Sequence, residues 1–184
     1  MKKKILVACL CVALAVLTVA GTTLAYLTSK TNEVKNTFTV GNVAITLTET
    51  TGDTYHIVPG QNLSKDPKVT VAANSEDCWL FVKVVEANWP EFKDTTDTRL
   101  VNYMIADGWT ALPGHNGVYY REVSKITTAQ DFAVLKNNVV TVSGDLTAEQ
   151  LQTVTVSPTL SFYGYAIQKA GFTTPAAAWA EVSK

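Results

Sequence analysis

This chain is predicted to be all-β, on three observations. Threonine and valine are abundant, apolar and polar residues alternate with period two in patch after patch, and Pro-Gly, Asn-Gly, Ser-Gly and Asp-Gly pairs punctuate the patches. Successive side chains of a strand point to opposite faces, so such alternation is what a half-buried strand requires. The architecture expected is one antiparallel β-sandwich with short helical insertions and a C-terminal helix.

The first residues stand outside that fold. Lys2, Lys3 and Lys4 form a basic start, Ile5 to Ala20 is a run of sixteen uncharged residues, and Thr23-Leu24-Ala25 places small residues where a signal peptidase cuts. Residues 1–25 therefore read as a secretory signal, cleaved between Ala25 and Tyr26, with Ala20 as an alternative cut. The apolar run is shorter than the roughly 20 residues a spanning helix needs, so no stable membrane anchor is expected after cleavage. Leu6-Val7-Ala8-Cys9 is similar to a lipoprotein box, but most of the apolar run follows Cys9 instead of preceding it.

Cleavage changes the chain's chemistry. The full chain carries 15 basic and 16 acidic residues; losing three lysines and no acid leaves 12 against 16, a net −4. No basic stripe remains to attract nucleic acid or an anionic membrane. Cys9 and Cys11 leave with the signal, so Cys78 has no partner for an internal disulfide and is expected to be a buried small residue at a strand start.

The mature chain, residues 26–184, supplies elements in order. Candidate strands are "NTFTV", "VAITLTE", "KVTVAA", "CWLFVKVVEA", "GVYYREV", "NNVVTVS" and "TVTVSPTLSFYGYAIQKA". "WLFVKVV" is almost wholly apolar, as a central strand covered on both faces should be. "VYYREV" mixes aromatic and charged residues and reads as an outer or edge strand. Within "WPEFKDTTDTRLVNYMIADGW", the portion "TRLVNYMIADG" is expected to be a short helix or an insertion. "TAEQLQTV" fits a helical turn with Thr147 as N-cap and Gln150 at the third position. In "TTPAAAWAEVSK", Thr174 caps a helix that Pro175 begins.

The sequence supplies no motif for catalysis. The two histidines, His56 and His115, sit beside Pro-Gly turns almost sixty residues apart, and neither belongs to a His-Glu-x-x-His helix. They are the weak candidates for a zinc site, weighed against polar turn residues. No Gly-x-Ser-x-Gly elbow, phosphate-binding loop or calcium-loop spacing occurs, and no cofactor is expected. Most aromatics are expected in the core; Trp89 and Trp109 are the likeliest exposed ones, and a carbohydrate-binding face would use them.

The stretch after the cleavage site has an internal discontinuity. Phe38 and Val40 fall on even positions, whereas Val43, Ile45 and Leu47 fall on odd ones, so one continuous strand would send the two sets to opposite faces. Either a bulge at Gly41-Asn42 realigns them, or residues 26–40 form a separate β-prone arm hinged at Gly41 and Asn42 to the body, residues 41–184. Such an arm, anchored by Val34, Phe38 and Val40, has three options: it packs on its own body, stays disordered, or adds as a strand to a neighbour. Head-to-tail addition that does not close makes a filament.

These residues carry a resemblance. "AYLTSKTNEVKNTFTVGNVAITLTE" resembles the TasA/camelysin family of exported Gram-positive proteins, through Ala25-Tyr26, Asn36, Phe38, Gly41, Val43, Ile45 and Leu47. The match covers about the first fifty residues, and "VPGQNLSKDPKVTVAANSEDCWLFVKV" is similar to the region that follows in the family. The resemblance implies a jelly-roll-like sandwich, processing by a SipW-type signal peptidase, and a place in the extracellular matrix or at the cell surface. It implies subunits of biofilm matrix fibres joined by donor-strand exchange of the mature N-terminus, with matrix or cell-wall components as further partners. A camelysin-type metallo-endopeptidase is the alternative function the family name carries.

Overall fold

The computed structural model describes residues 42–52 and 55–184, which fall within one compact unit, Val40–Lys184. The signal peptide, the Ala25/Tyr26 cleavage site, the arm with Val34, Phe38 and Val40, and the hinge residue Gly41 lie outside the described residues.

The described chain is predominantly antiparallel β. Its strands are β1 (Ile45–Thr48), β2 (Asn62–Ser64), β3 (Lys68–Val71), β4 (Cys78–Ala87), β5 (Val101–Ile105), β6 (Thr110–Ala111), β7 (Val118–Val123), β8 (Gln130–Ala133), β9 (Leu135–Val142) and β10 (Thr159–Gln168). They form sheets in the orders β1-β3-β8, β2-β9-β5 and β10-β4-β7-β6. The first two sheets meet where Pro67 separates β2 from β3 and Val134 separates β8 from β9. There the Lys65 N–H donates to the Asn138 carbonyl (2.8 Å) and the Val134 N–H to that of Pro67 (2.9 Å).

The apolar run in β4 explains the layering. Cys78, Leu80, Val82 and Val84 point into a core shared with Val69, Val101, Phe132, Leu135 and Val140, drawn from all three sheets. Trp79 and Phe81 point the other way, into a second core closed by Leu112, Val118, Ala178 and Trp179. Both faces of β4 are thus covered, as its composition requires. The second cover is helix α2 (Pro175–Val182), with Thr174 as N-cap and Pro175 in its first turn. Helix α1 (Ala148–Gln152) has the expected reciprocal cap: the Gln150 N–H donates to Thr147 Oγ1, and the Thr147 N–H donates to Gln150 Oε1.

Several expectations need correction. "TRLVNYMIADG" supplies strand β5, because Val101 and Tyr103 register against Val142 and Val140 of β9 and tertiary pairing overrides a weak helical pattern. β7 is an outer strand, as expected, though not the last: β4 lies on one side, and on the other the two-residue β6 covers only Tyr119 and Tyr120. "TVTVSP" is not strand, so β10 begins only at Thr159, after Pro158. β2, β6 and β8, each four residues or fewer, fall on stretches without a strand signal. Cys78 is fully buried and unpaired, as expected, and burial together with Asp77 pushes its thiol up to about 11.

Gly117 is required by its turn. Its φ is +72°, and a Cβ there would stand 2.3 Å from the Val84 carbonyl oxygen, while the Val84 N–H donates to the Gly117 carbonyl (2.7 Å). Asn137 and Asn138 also adopt positive φ, at +57° and +54°. They sit in a bulge of β9, where the partner register jumps between Tyr103↔Val140 and Ile105↔Leu135.

Candidate functional site

Two sheet edges face one another on one side of the molecule. β1 has β3 as its strand neighbour, and β10 has β4 as its sole strand neighbour among the described residues, along all ten of its positions. Between Pro158 and Lys169 that edge strand, "TLSFYGYAIQ", carries no charge and no proline. Charges, prolines and bulges are the usual protection of a sheet edge, and β10 has none of these along its length.

The two edges pinch together at Gly164. A Cβ there would lie 3.5 Å from Ile45 Cδ1 and 3.8 Å from Leu47 Cβ, so β1 packs directly over the glycine. Towards the Ala87/Thr159 end the edges part, and a cleft of about 800 Å³ opens between them. Its apolar wall includes Leu47, Ile57, Leu63, Trp89, Leu160 and Phe162.

A charged pair lines the same cleft. Lys65 Nζ is 2.5 Å from Glu49 Oε1, with side chains 10% and 25% exposed, and the ammonium also lies 5.1 Å from the Tyr55 ring centroid and 5.7 Å from that of Phe162. Carboxylate and ring faces together replace the water that burial removes. The chain leaving β1 is tied down by Asp66, whose carboxylate accepts from the Thr50 and Thr51 N–H groups at 2.8 and 3.0 Å. It also accepts from both hydroxyls, and the Thr50 hydroxyl and N–H bonds lead in holding the Asp66 carboxyl far below the usual carboxylate range.

A second cavity, about 580 Å³, contains a bidentate pair: Arg99 donates to both Glu86 oxygens at 2.9 and 2.7 Å. Arg99 holds the Glu86 carboxyl below its usual range, while burial pushes the neighbouring Tyr103 phenol up. Every member of this group is satisfied within the protein, so its geometry reads as a brace between β4 and the approach to β5.

The residues singled out from sequence are dispersed. His56 is exposed at the rim of the cleft, whereas His115 packs edge-to-face against Trp179 with centroids 6.3 Å apart. Among the described residues no group of three or more His, Cys, Asp or Glu side chains is placed to hold a metal ion. Trp89 and Trp109 are half-buried against the core, and their indole N–H groups donate to the carbonyls of Val101 (3.1 Å) and Ala133 (2.8 Å). Both are partly buried with satisfied polar handles, and Trp89 also lines the cleft. Asn42 is exposed, and its carbonyl accepts from the Glu76 N–H (3.0 Å), which fixes the chain's entry at the β3–β4 turn.

Sequence reasoning missed Glu49 and Lys65, whose pairing is not local, and it missed the edge character of β10. The available signal for the latter was the uncharged, proline-free run between Pro158 and Lys169. No helix among the described residues is long and apolar enough to cross a membrane. No protein-family model matches the chain, and no curated protein or solved structure matches it significantly.

Proposed function

We propose that this chain is a secreted structural protein of the cell surface or biofilm matrix, assembling head-to-tail into fibres by donor-strand exchange of its mature N-terminus. One observation carries the reading: among the described residues β10 has β4 as its sole strand neighbour, and its uncharged, proline-free Thr159–Tyr163 portion lies beside an open cleft. An edge of this kind is a template for a further strand, and a soluble protein leaves one uncovered at the risk of aggregation. The arm after the signal has a β-prone sequence of matching chemistry, and its resemblance to the TasA/camelysin family supports the same use.

A jelly-roll-like sandwich is the fold proposed with it. If β2–β3 and β8–β9 each count as one kinked strand, the sheet orders become β1-β3-β8-β5 through the β2 and β9 continuations, facing β10-β4-β7-β6. The core shared by all three sheets supports that two-layer arrangement.

The test compares protein beginning at Tyr26 with protein beginning at Gly41 by electron microscopy. Fibres are expected from the first alone; equal fibres from both, or none from either, refute the donor arm. Bound zinc together with casein cleavage, both lost on replacing His56 or His115, would establish the endopeptidase alternative in its place.

A further inference from the structure

We propose that Arg121 anchors a binding site for a small carboxylic acid, held end-on by the two Nη groups of its guanidinium. The site lies where β7 meets β8, shares no residue with the cleft beside β10, and does not depend on how the chain assembles.

The chain has two arginines, and their surroundings differ. Arg99 is held by both oxygens of Glu86. No carboxylate of the described residues pairs with Arg121, and its Nε is buried without a hydrogen-bond partner. Its place in the strand makes this costly. Leu80↔Arg121 and Cys78↔Val123 are cross-strand partners of β4 and β7, so Arg121 shares the face that Leu80 and Val123 turn to the first core. Alternation along β7 calls for an apolar residue there.

The nearby acids belong to other cations. Asp107 pairs with Lys136, Asp131 with Lys68 and Glu122 with Lys169. Burial is the one influence on the basicity of Arg121, pushing it below its usual range with no counter-charge in opposition. A half-buried cation left without a counter-ion costs stability, and an anion arriving from outside would remove that cost.

The surroundings favour one kind of anion. The Arg121 Cζ lies 4.1 Å from the Phe132 ring centroid and 5.4 Å from that of Trp109, so ring faces replace part of its lost hydration. Trp109 is itself pinned, its indole N–H donating to the Ala133 carbonyl (2.8 Å). With Nε buried, the remaining donors are those of the Nη fork. Gly108 keeps that fork clear: its φ is +88°, and a Cβ there would stand 3.0 Å from Nη2 and 3.3 Å from Nη1.

A clear fork beside two rings suits a flat, bidentate partner, and carboxylate is both flat and singly charged. A phosphate group is tetrahedral and brings about −1.5 to −2 at neutral pH. Balancing it would need a second cation, and Lys136, which reaches the same turn, is already engaged by Asp107.

Titration of the mature chain from Tyr26 tests the site. Acetate is the probe, acetamide its neutral isostere, inorganic phosphate the rival chemistry, and chloride at equal ionic strength the control. The readouts are the indole N–H resonance of Trp109, assigned with Trp109→Phe, and the thermal midpoint. The expected result is a saturable acetate response in the millimolar range, none with acetamide or chloride, and weaker binding of phosphate. Arg121→Met keeps a long apolar stem against Phe132 and Trp109 and should lose the response. Arg121→Lys keeps the charge without the fork and should bind roughly ten-fold more weakly. Should Arg121→Met fail to fold, Arg121→Lys carries the comparison. No acetate response in the parent chain, or an equal one in the Arg121 variants, would overturn the site and leave Arg121 as a cation–π brace. Phosphate binding tighter than acetate would overturn the assignment to carboxylates.

Discussion

Replacing Trp179 by alanine is the sharpest test of how the second core is held. Trp179 is 5% exposed and is the largest side chain that α2 contributes. Its ring lies 5.3 Å from Phe81, 5.1 Å from Tyr165 and 6.3 Å from His115, centroid to centroid. An aromatic of this kind buries about 150–250 Å², and at about 25 cal/mol per Å² the lost burial comes to roughly 4–6 kcal/mol. That figure is an upper bound, because a realistic unfolded chain already hides part of the surface. Measured aromatic-to-alanine changes in cores cluster at about 3–5 kcal/mol, which is the expected loss here.

The structure also limits how the loss is expressed. α2 is eight residues long, too short to persist without its docking face. Trp179→Ala should therefore release α2 first, exposing Phe81 and Tyr165, before the remaining sheets unfold. Guanidinium denaturation followed by fluorescence of the three remaining tryptophans reports global stability, and amide hydrogen exchange reports α2 separately. A loss below about 1 kcal/mol, with α2 amides still protected, would refute the claim that α2 is the cover of β4's outer face.

Two further predictions follow from the turn and the acid-sensitive loop. Gly117→Ala should cost about 3 kcal/mol or more, because it adds a left-handed penalty of roughly 1–2 kcal/mol to a contact with the Val84 carbonyl that only backbone movement relieves; an unchanged thermal midpoint would contradict it. The Asp66 carboxyl is depressed in the folded state, so its stabilising bonds are fully present above its unfolded value of about 3.9 and are lost as pH falls through the lower, folded value. Urea midpoints should fall along this acid limb, and Asp66→Asn should make the limb shallower; an identical acid limb in the variant would refute the assignment.

What could be read from the sequence was what the chain specifies locally. The cap residues Thr147, Gln150, Thr174 and Pro175 act within one helical turn, and the apolar run of β4 declares its burial without naming its partners. β5 was not legible, because "LVNYMI" satisfies both a strand and a helix period, and only its pairing with β9 decides. The cleft was less legible still. Glu49 and Lys65 are sixteen residues apart, and nothing in either neighbourhood announces that the chain brings them together beside Tyr55 and Phe162. Openness of an edge is a property of the whole strand order, so the run from Thr159 to Gln168 acquires its meaning only once β4 is known to be its sole strand neighbour among the described residues.

The register of β4 against β10 bears on how the protein is made. Paired residues such as Ala87↔Thr159 and Cys78↔Gln168 are 72 and 90 positions apart, so the central ladder cannot zip until nearly the whole chain has been synthesised. Such distant pairing is slow, because loop closure must precede any gain from the contacts. Until β10 is available, β4 has β7 alone as a strand neighbour among the described residues. The central sheet is completed only when that strand arrives.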